Sequence, residues 1–228
     1  SFSGIYAYHL WVNRSLTISG GFEASLVQRA LNGTNFVFED QLSFNGPQQA
    51  GAEQYGKYRH DYPDIAVGFA AFYKNIYGGI SGFHLMKPKQ SIGSGSEAFL
   101  SRKYILFAGT VFPVYEKRFG KEVIQLSPNI IFIQQKNLNQ LNYGVEGVLK
   151  NEFILGLWMR QNLGFKLNSM IFSAGYVTKK FRFRYSYDLQ LSSPVISLPN
   201  LGSHEISMIL TPDSGKKKKR EAIKCPKI

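Results

Sequence analysis

The stretch FRFRYSYDLQLS, residues 181–192, alternates without a break. Phe181, Phe183, Tyr185, Tyr187, Leu189 and Leu191 fall on one parity, and Arg182, Arg184, Ser186, Asp188, Gln190 and Ser192 on the other. A period of two is that of a β-strand whose faces meet unlike surroundings, because successive side chains point to opposite sides. At about 3.4 Å per residue, twelve residues run roughly 40 Å, about twice an ordinary strand. Tilted by about 45°, such a strand rises roughly 28 Å, close to the hydrocarbon thickness that a membrane barrel must cross. A long amphipathic strand of a soluble sandwich fits this segment alone equally well, so the rest of the chain decides.

The same pattern recurs. In LNYGVEGVLK, Leu141, Tyr143, Val145 and Leu149 oppose Asn142, Glu146 and Lys150; in LTISGGFEAS, Leu16, Ile18, Phe22 and Ala24 oppose Thr17, Ser19, Glu23 and Ser25. In FILGLWMR, Phe153, Leu155, Leu157 and Met159 read as outward, with Gly156, Trp158 and Arg160 inward. IYGGISGFHL has no legible phase. Alternation and turn residues predict about eleven strands, near 2–12, 16–29, 64–74, 76–86, 102–113, 122–135, 140–149, 152–161, 167–178, 180–192 and 203–211. A helical period shows only in QQAGAEQYGKY, which its glycines interrupt.

The connections tend to alternate between short and long. The short set is 13–15, 74–75, 117–122, 150–152 and 179–180; the long set is about 31–63, 87–102, 135–140, 161–166 and 194–202. Tight periplasmic turns alternating with longer outer loops are the mark of an up-and-down outer-membrane barrel, whereas Greek-key crossings have no reason to sort loops by parity. The fold class expected is all-β, an antiparallel up-and-down transmembrane β-barrel. Parity makes the last strand descend, so the C-terminal tail is periplasmic and residue 1 lies at the outer surface. Because such barrels close with an even number of strands, an odd number of strands is expected before Ser1. The barrel is assigned to residues 1–214 and a basic periplasmic tail to 215–228.

Composition agrees with this assignment. There is no run of about 18 apolar residues, and a mean hydropathy of −0.16 is what alternation produces when it averages apolar against polar positions. Cys225 is the single cysteine, which excludes an internal disulfide or a thiolate cluster within one chain. The net charge is +12, but Gly215–Ile228 holds seven Lys or Arg and one Glu, which places half the excess in the tail. A charge so confined argues against a nucleic-acid groove, and no nucleic-acid partner is expected.

Taken together, GYVTKKFRFRYSYD (175–188), LGSHEISMIL (201–210), KCPKI (224–228), PDIAVGFAAFYKNIYGGISGFHL (63–85) and LSPNIIFIQQ (126–135) resemble the PorP/SprF family of type IX secretion proteins. The resemblance implies an outer-membrane barrel of Bacteroidota with about fourteen strands in the full-length protein. It also implies a role in protein secretion and gliding motility, with periplasmic ring or lipoprotein components, outer-membrane lipid and a secreted cargo or surface adhesin C-terminal domain as partners. Enzymatic activity is not implied. The KKKKR run at 216–220 departs from the family pattern.

The inward charges Arg182, Arg184 and Asp188, with Glu146, Lys150 and Arg160, predict a charged lumen, which either pairs across strands and plugs the barrel or acts as a selectivity filter. Phe181, Phe183, Tyr185, Tyr187, Leu189 and Leu191 are read as lipid-facing. The tail residues Lys216, Lys217, Lys218, Lys219, Arg220, Lys224, Cys225 and Pro226 are candidates for a partner-binding segment; attraction to anionic headgroups and a merely solvated tail are the alternatives. Cys225 is then a docked apolar contact or an intermolecular thiol. The outer segment from Asn32 to Pro63 is long enough to present a cargo surface or to fold over the lumen as a lid. His9, His60, His84 and His204 have no metal-ligand spacing, and HExxH, P-loop and GxSxG motifs are missing, so no metal, cofactor or catalytic site is expected. The tripeptide Ser203, His204 and Glu205 cannot form a relay on a strand, since His204 points opposite to its neighbours. Cargo anchoring is the first functional expectation, a passive porin or small-solute transporter the second, and a soluble sugar-binding sandwich the third.

Overall fold

A computed structural model of the chain describes residues 1–32, 42–43, 46–47, 57–90, 98–116, 123–150, 152–164, 167–178, 180–191 and 202–211. Its strands are β1 (Phe2–Trp11), β2 (Leu16–Asn32), β3 (Leu42–Ser43), β4 (Gly46–Pro47), β5 (Lys57–Tyr73), β6 (Ile76–Phe83) and β7 (Lys103–Thr110). They continue with β8 (Phe112–Glu116), β9 (Val123–Gln135), β10 (Leu138–Leu149), β11 (Phe153–Asn162), β12 (Leu167–Val177), β13 (Phe181–Gln190) and β14 (Ser203–Leu210). β3 pairs only with β4, and β8 joins the main sheet beside β9. The others follow one another as antiparallel neighbours in the order β1-β2-β5-β6-β7-β9-β10-β11-β12-β13-β14, an up-and-down sheet with no crossover. β1 has β2 as its one neighbour and β14 has β13, so the sheet is open between them. An odd number of antiparallel strands leaves those two edges running the same way, and they cannot meet as an antiparallel pair.

β7 and β8 are one strand interrupted. Gly109 faces Asn129 and Phe112 faces Leu126 in an unchanged register, which sets the interruption opposite Pro128 and Ser127. Pro128 has no amide to give to a neighbouring strand, and the ladder lapses beside it. The register then slips between Pro113 and Tyr115, a bulge.

The tight turns have identifiable chemistry. At 13–15 the Asn13 side-chain oxygen accepts from the amides of Ser15 at 2.8 Å and Leu16 at 2.9 Å, an Asx turn. The pair Lys-Asn occurs at 74–75, 136–137 and 150–151, and each Lys adopts a left-handed backbone, with φ of 52°, 53° and 52°. The middle one corrects the sequence reading: 135–140 is not a long outer loop, because Gln135 pairs with Leu138 across Lys136 and Asn137. The 31–63 connection also shortens, since β2 runs on to Asn32 and β5 begins at Lys57. The QQAGAEQYGKY segment enters β5 at its last two residues and otherwise lies outside the described residues.

The two faces differ as alternation requires. Ile18, Phe22, Ile65, Val67, Phe69, Leu106, Ile130, Val145, Leu155, Leu157 and Phe172 are exposed on one face, while Tyr62, Asp64, Tyr77, Glu146 and Ile154 are buried on the other. An all-round surface of exposed apolar side chains on a sheet with a polar interior is the inverse of a soluble sandwich. No helix among the described residues is long and apolar enough to cross a membrane, which does not bear on crossing by strands.

Candidate functional site

The inward face of β9–β13 is built on cross-strand rows. Direct Cα partners form one row of Tyr77, Gly109, Asn129, Gly144, Trp158, Ile171 and Asp188, running from β6 to β13. Within it, aromatic rings lie on glycines of the adjacent strand. A Cβ on Gly109 would come 2.7 Å from the Tyr77 ring, and one on Gly144 would come 2.6 Å from Trp158. One row nearer the outer end, Phe107 covers Gly79 in the same way, 2.7 Å from where a Cβ would be. The glycines let bulky rings lie flat across the sheet and fill the interior. The Tyr77 hydroxyl bonds the Asn129 side-chain oxygen, and Asn129 in turn donates to the Ser127 carbonyl at 2.9 Å.

Around this layer stand four charges on the inward parity, in the vertical order Arg184, Glu146, Asp188, Arg160 from the tight-turn end upward. Arg184 on β13 donates to Glu146 on β10 at 2.9 Å, and its Nη2 is 2.8 Å from the second carboxylate oxygen. Three inter-strand spacings separate the pair, about 14 Å in a flat sheet. It forms over the small residues Gly156, Ser173 and Gly175 of the two intervening strands. Arg160 on β11 reaches over β12 to Asp188 on β13 at 2.9 Å. Glu146 is 2 % exposed, so its charge is tolerable only because a guanidinium meets it. Ser169 and Ser173 hydroxyls, the Arg160 Nε and the Asp188 Oδ1 lie buried nearby with no hydrogen-bonding protein atom, which marks the layer as polar throughout.

The expected lumen residues therefore fall into three groups. Arg184, Glu146, Arg160 and Asp188 come together as two ion pairs. Arg182 sits on the same parity, half-buried, near the end of β13. Lys150 is placed otherwise than its parity suggested: β10 ends at Leu149, and Lys150 is an exposed turn residue with φ of 52°. A tight turn rotates its first residue out of the strand's alternation, so parity counted past the last paired residue carries no meaning.

On the outward side Phe181, Phe183 and Tyr185 are exposed, Tyr187 and Leu189 are half-buried, and Leu191 is exposed just beyond the end of β13. The Tyr185 hydroxyl meets His204 Nδ1 at 2.7 Å, and the Tyr187 ring centroid is 4.8 Å from that of His204, so this rim is aromatic and polar at once. The tail residues Lys216, Lys217, Lys218, Lys219, Arg220, Lys224, Cys225 and Pro226 lie outside the described residues, as does most of the 32–63 segment.

A second polar cluster, not anticipated from the sequence, closes the upper interior beside β5. His84 meets Asp64 at 2.6 Å, Gln90 donates to the Tyr62 hydroxyl at 2.9 Å, and His60 Nε2 is 2.8 Å from the Lys89 carbonyl. Among the described residues it is thus the connection after β6 that folds onto the buried inward row. The alternating Tyr62, Asp64 and Ala66 were a usable signal for that row, but nothing in the sequence names the loop that covers it. Among the described residues no group of three or more His, Cys, Asp or Glu is placed to hold a metal ion.

The family model of the type IX secretion system membrane protein PorP/SprF covers residues 1–210, which is the whole β-sheet. No curated protein matches the chain.

Proposed function

The chain belongs to the PorP/SprF family of type IX secretion system membrane proteins, and from that premise we propose that it anchors secreted cargo at the outer membrane and links it to the periplasmic machinery without acting as an open pore. The family is one of secretion-system membrane components and not of enzymes. The observation that carries the proposal is the interior itself. The Arg184–Glu146 and Arg160–Asp188 pairs bridge non-adjacent strands of β10–β13, and aromatic rings lie on the neighbouring glycines Gly79, Gly109 and Gly144 of the same inward face. Inward charges locked to one another and bulky rings fill the interior and neutralise its field, whereas a solute pore needs open polar walls.

In this reading residues 1–214 form the membrane domain. The tail from Gly215 to Ile228, with Lys216–Lys219, Arg220, Lys224, Cys225 and Pro226, extends into the periplasm and docks on an acidic surface of a ring or lipoprotein component. Cargo, such as the C-terminal domain of a surface adhesin, is met by the long connections at the opposite end. The test is a mild-detergent isolation of the tagged full-length protein from its own outer membrane, with and without residues 215–228. Enrichment of periplasmic ring proteins and one large surface protein, with the ring proteins lost on tail deletion, is expected. Reproducible recovery of the barrel alone would overturn the anchoring role, and unchanged co-isolation without the tail would overturn the docking role of the tail.

A further inference from the structure

On the outward face, at the end that carries the long connections, β7, β9 and the connection before β7 enclose a cavity of about 460 Å³. Its walls include Lys87, Arg102, Lys136, Tyr104, Gln134 and Phe99, and no carboxylate is among its described lining residues. Register shows why these side chains converge. Tyr104 and Gln134 are direct cross-strand partners, and Arg102 and Lys136 line the same cavity from just beyond the paired ends of β7 and β9. Lys87 is brought in by the connection after β6, where it holds a left-handed backbone with φ of 48° and its amide bonds the His84 carbonyl at 3.1 Å. Arg102 is steadied by a bond from its Nε to the Leu85 carbonyl at 3.1 Å, made by a nitrogen other than its terminal pair.

Directly below, on the same face, the exposed side chains are apolar: Leu106, Ile130 and Ile80. At the level of the cavity Phe99 and Met86 are exposed as well. Three cations stand at the upper edge of a hydrocarbon-facing surface.

We infer that this cavity binds the phosphate headgroup of an outer-leaflet lipid, with Lys87, Arg102 and Lys136 around the phosphate and the acyl chains descending over Leu106 and Ile130. Three cations with no acid among the described walls suit a multiply charged anion. The volume suits a headgroup and is too small for a folded partner. A soluble anion would use the cations but not the apolar surface beneath them, and a neutral lipid the reverse. The site rests on the outward face being the lipid face, so the test includes a check on that.

The full-length protein, purified in detergent and stripped of lipid, is titrated by native mass spectrometry with a phosphorylated glycolipid, with the same glycolipid after removal of its phosphates, and with inorganic phosphate. Wild type is expected to bind the phosphorylated lipid at least about 10-fold more tightly than the dephosphorylated one. K87Q/R102Q/K136Q loses that preference, and K136Q alone reduces it. Equal binding of the two lipids, or an undiminished preference in the triple variant, overturns the site. Competition by inorganic phosphate as strong as that by the lipid makes it a free-anion site and also overturns the proposal. Heat-modifiable migration after reconstitution in bilayers is checked in parallel. Its retention by the triple variant shows that lost binding is not lost folding, and its failure in wild type removes the membrane premise and the site together.

Discussion

Inside the sheet, Arg184 and Arg160 each meet a carboxylate at 2.8–2.9 Å; at the outward rim, Lys87, Arg102 and Lys136 share one cavity with no acid among its described walls. The residue types are alike and their surroundings opposite. Glu146 is three strands from Arg184 and Asp188 is two from Arg160, and the longer crossing passes small residues, Gly156, Ser173 and Gly175, on the intervening strands. Each interior guanidinium is met by a carboxylate, whereas no carboxylate lies among the described walls of the rim cavity. That difference underlies the two proposals, closure for the interior and lipid recognition for the rim.

The largest effect that would sharpen this contrast is on the interior. Glu146→Ala leaves Arg184 without its buried counterion and is expected to cost about 3–5 kcal/mol. Urea unfolding of the reconstituted full-length protein measures it, and Glu146→Ala with Arg184→Ala together should cost clearly less than the two summed. A cost below about 1 kcal/mol, the range of solvated ion pairs, would break the comparison from the interior side. Leu157→Arg, at an outward position 39 % exposed near the middle of β11, comes next. Placed in hydrocarbon it should cost about 2–4 kcal/mol by the same assay, whereas no penalty would mean that this face meets water.

Gly144→Ala should follow at about 1–3 kcal/mol, because the new methyl lies within 2.6 Å of Trp158 and must displace the ring. The tryptophan emission of this variant should shift along with the loss of stability. The smallest effect is at the rim. Lys136→Gln should change stability by no more than about 0.5 kcal/mol, and its consequence should be confined to lipid binding.

How far the sequence was legible follows the same physics. Strands that cross from one boundary of the bilayer to the other alternate strictly, and Phe181–Gln190 was bounded within two residues for that reason. β5 was recognised only from Asp64, although it begins at Lys57. Its first residues alternate in burial, with Arg59 and Asp61 exposed, His60 half-buried and Tyr62 buried, but polar residues stand on both faces, so the alternation does not show as hydropathy. IYGGISGF had no readable phase because three of its eight places, Gly78, Gly79 and Gly82, are glycine, yet Tyr77 is buried and Ile76 and Ile80 are exposed. The Lys-Asn pair was readable as a turn at 74 and 150 and was overlooked at 136, where flanking polar residues resembled a loop.

For the site, parity placed Arg184, Glu146, Arg160 and Asp188 on one face but could not pair them. Partners three strands apart depend on register, on curvature and on what the intervening residues leave open, and none of these is local in sequence. The rim cavity was invisible for a related reason: Lys87, Arg102 and Lys136 come from separate connections and strand ends, and only the pairing of Tyr104 with Gln134 brings them together.

The most direct test of the account is single-channel recording of the full-length protein in planar bilayers. The ion-paired interior predicts a silent barrel, with conductance appearing in Glu146→Ala. A steady, large open-state conductance in wild type would contradict the closed interior and make the protein a porin.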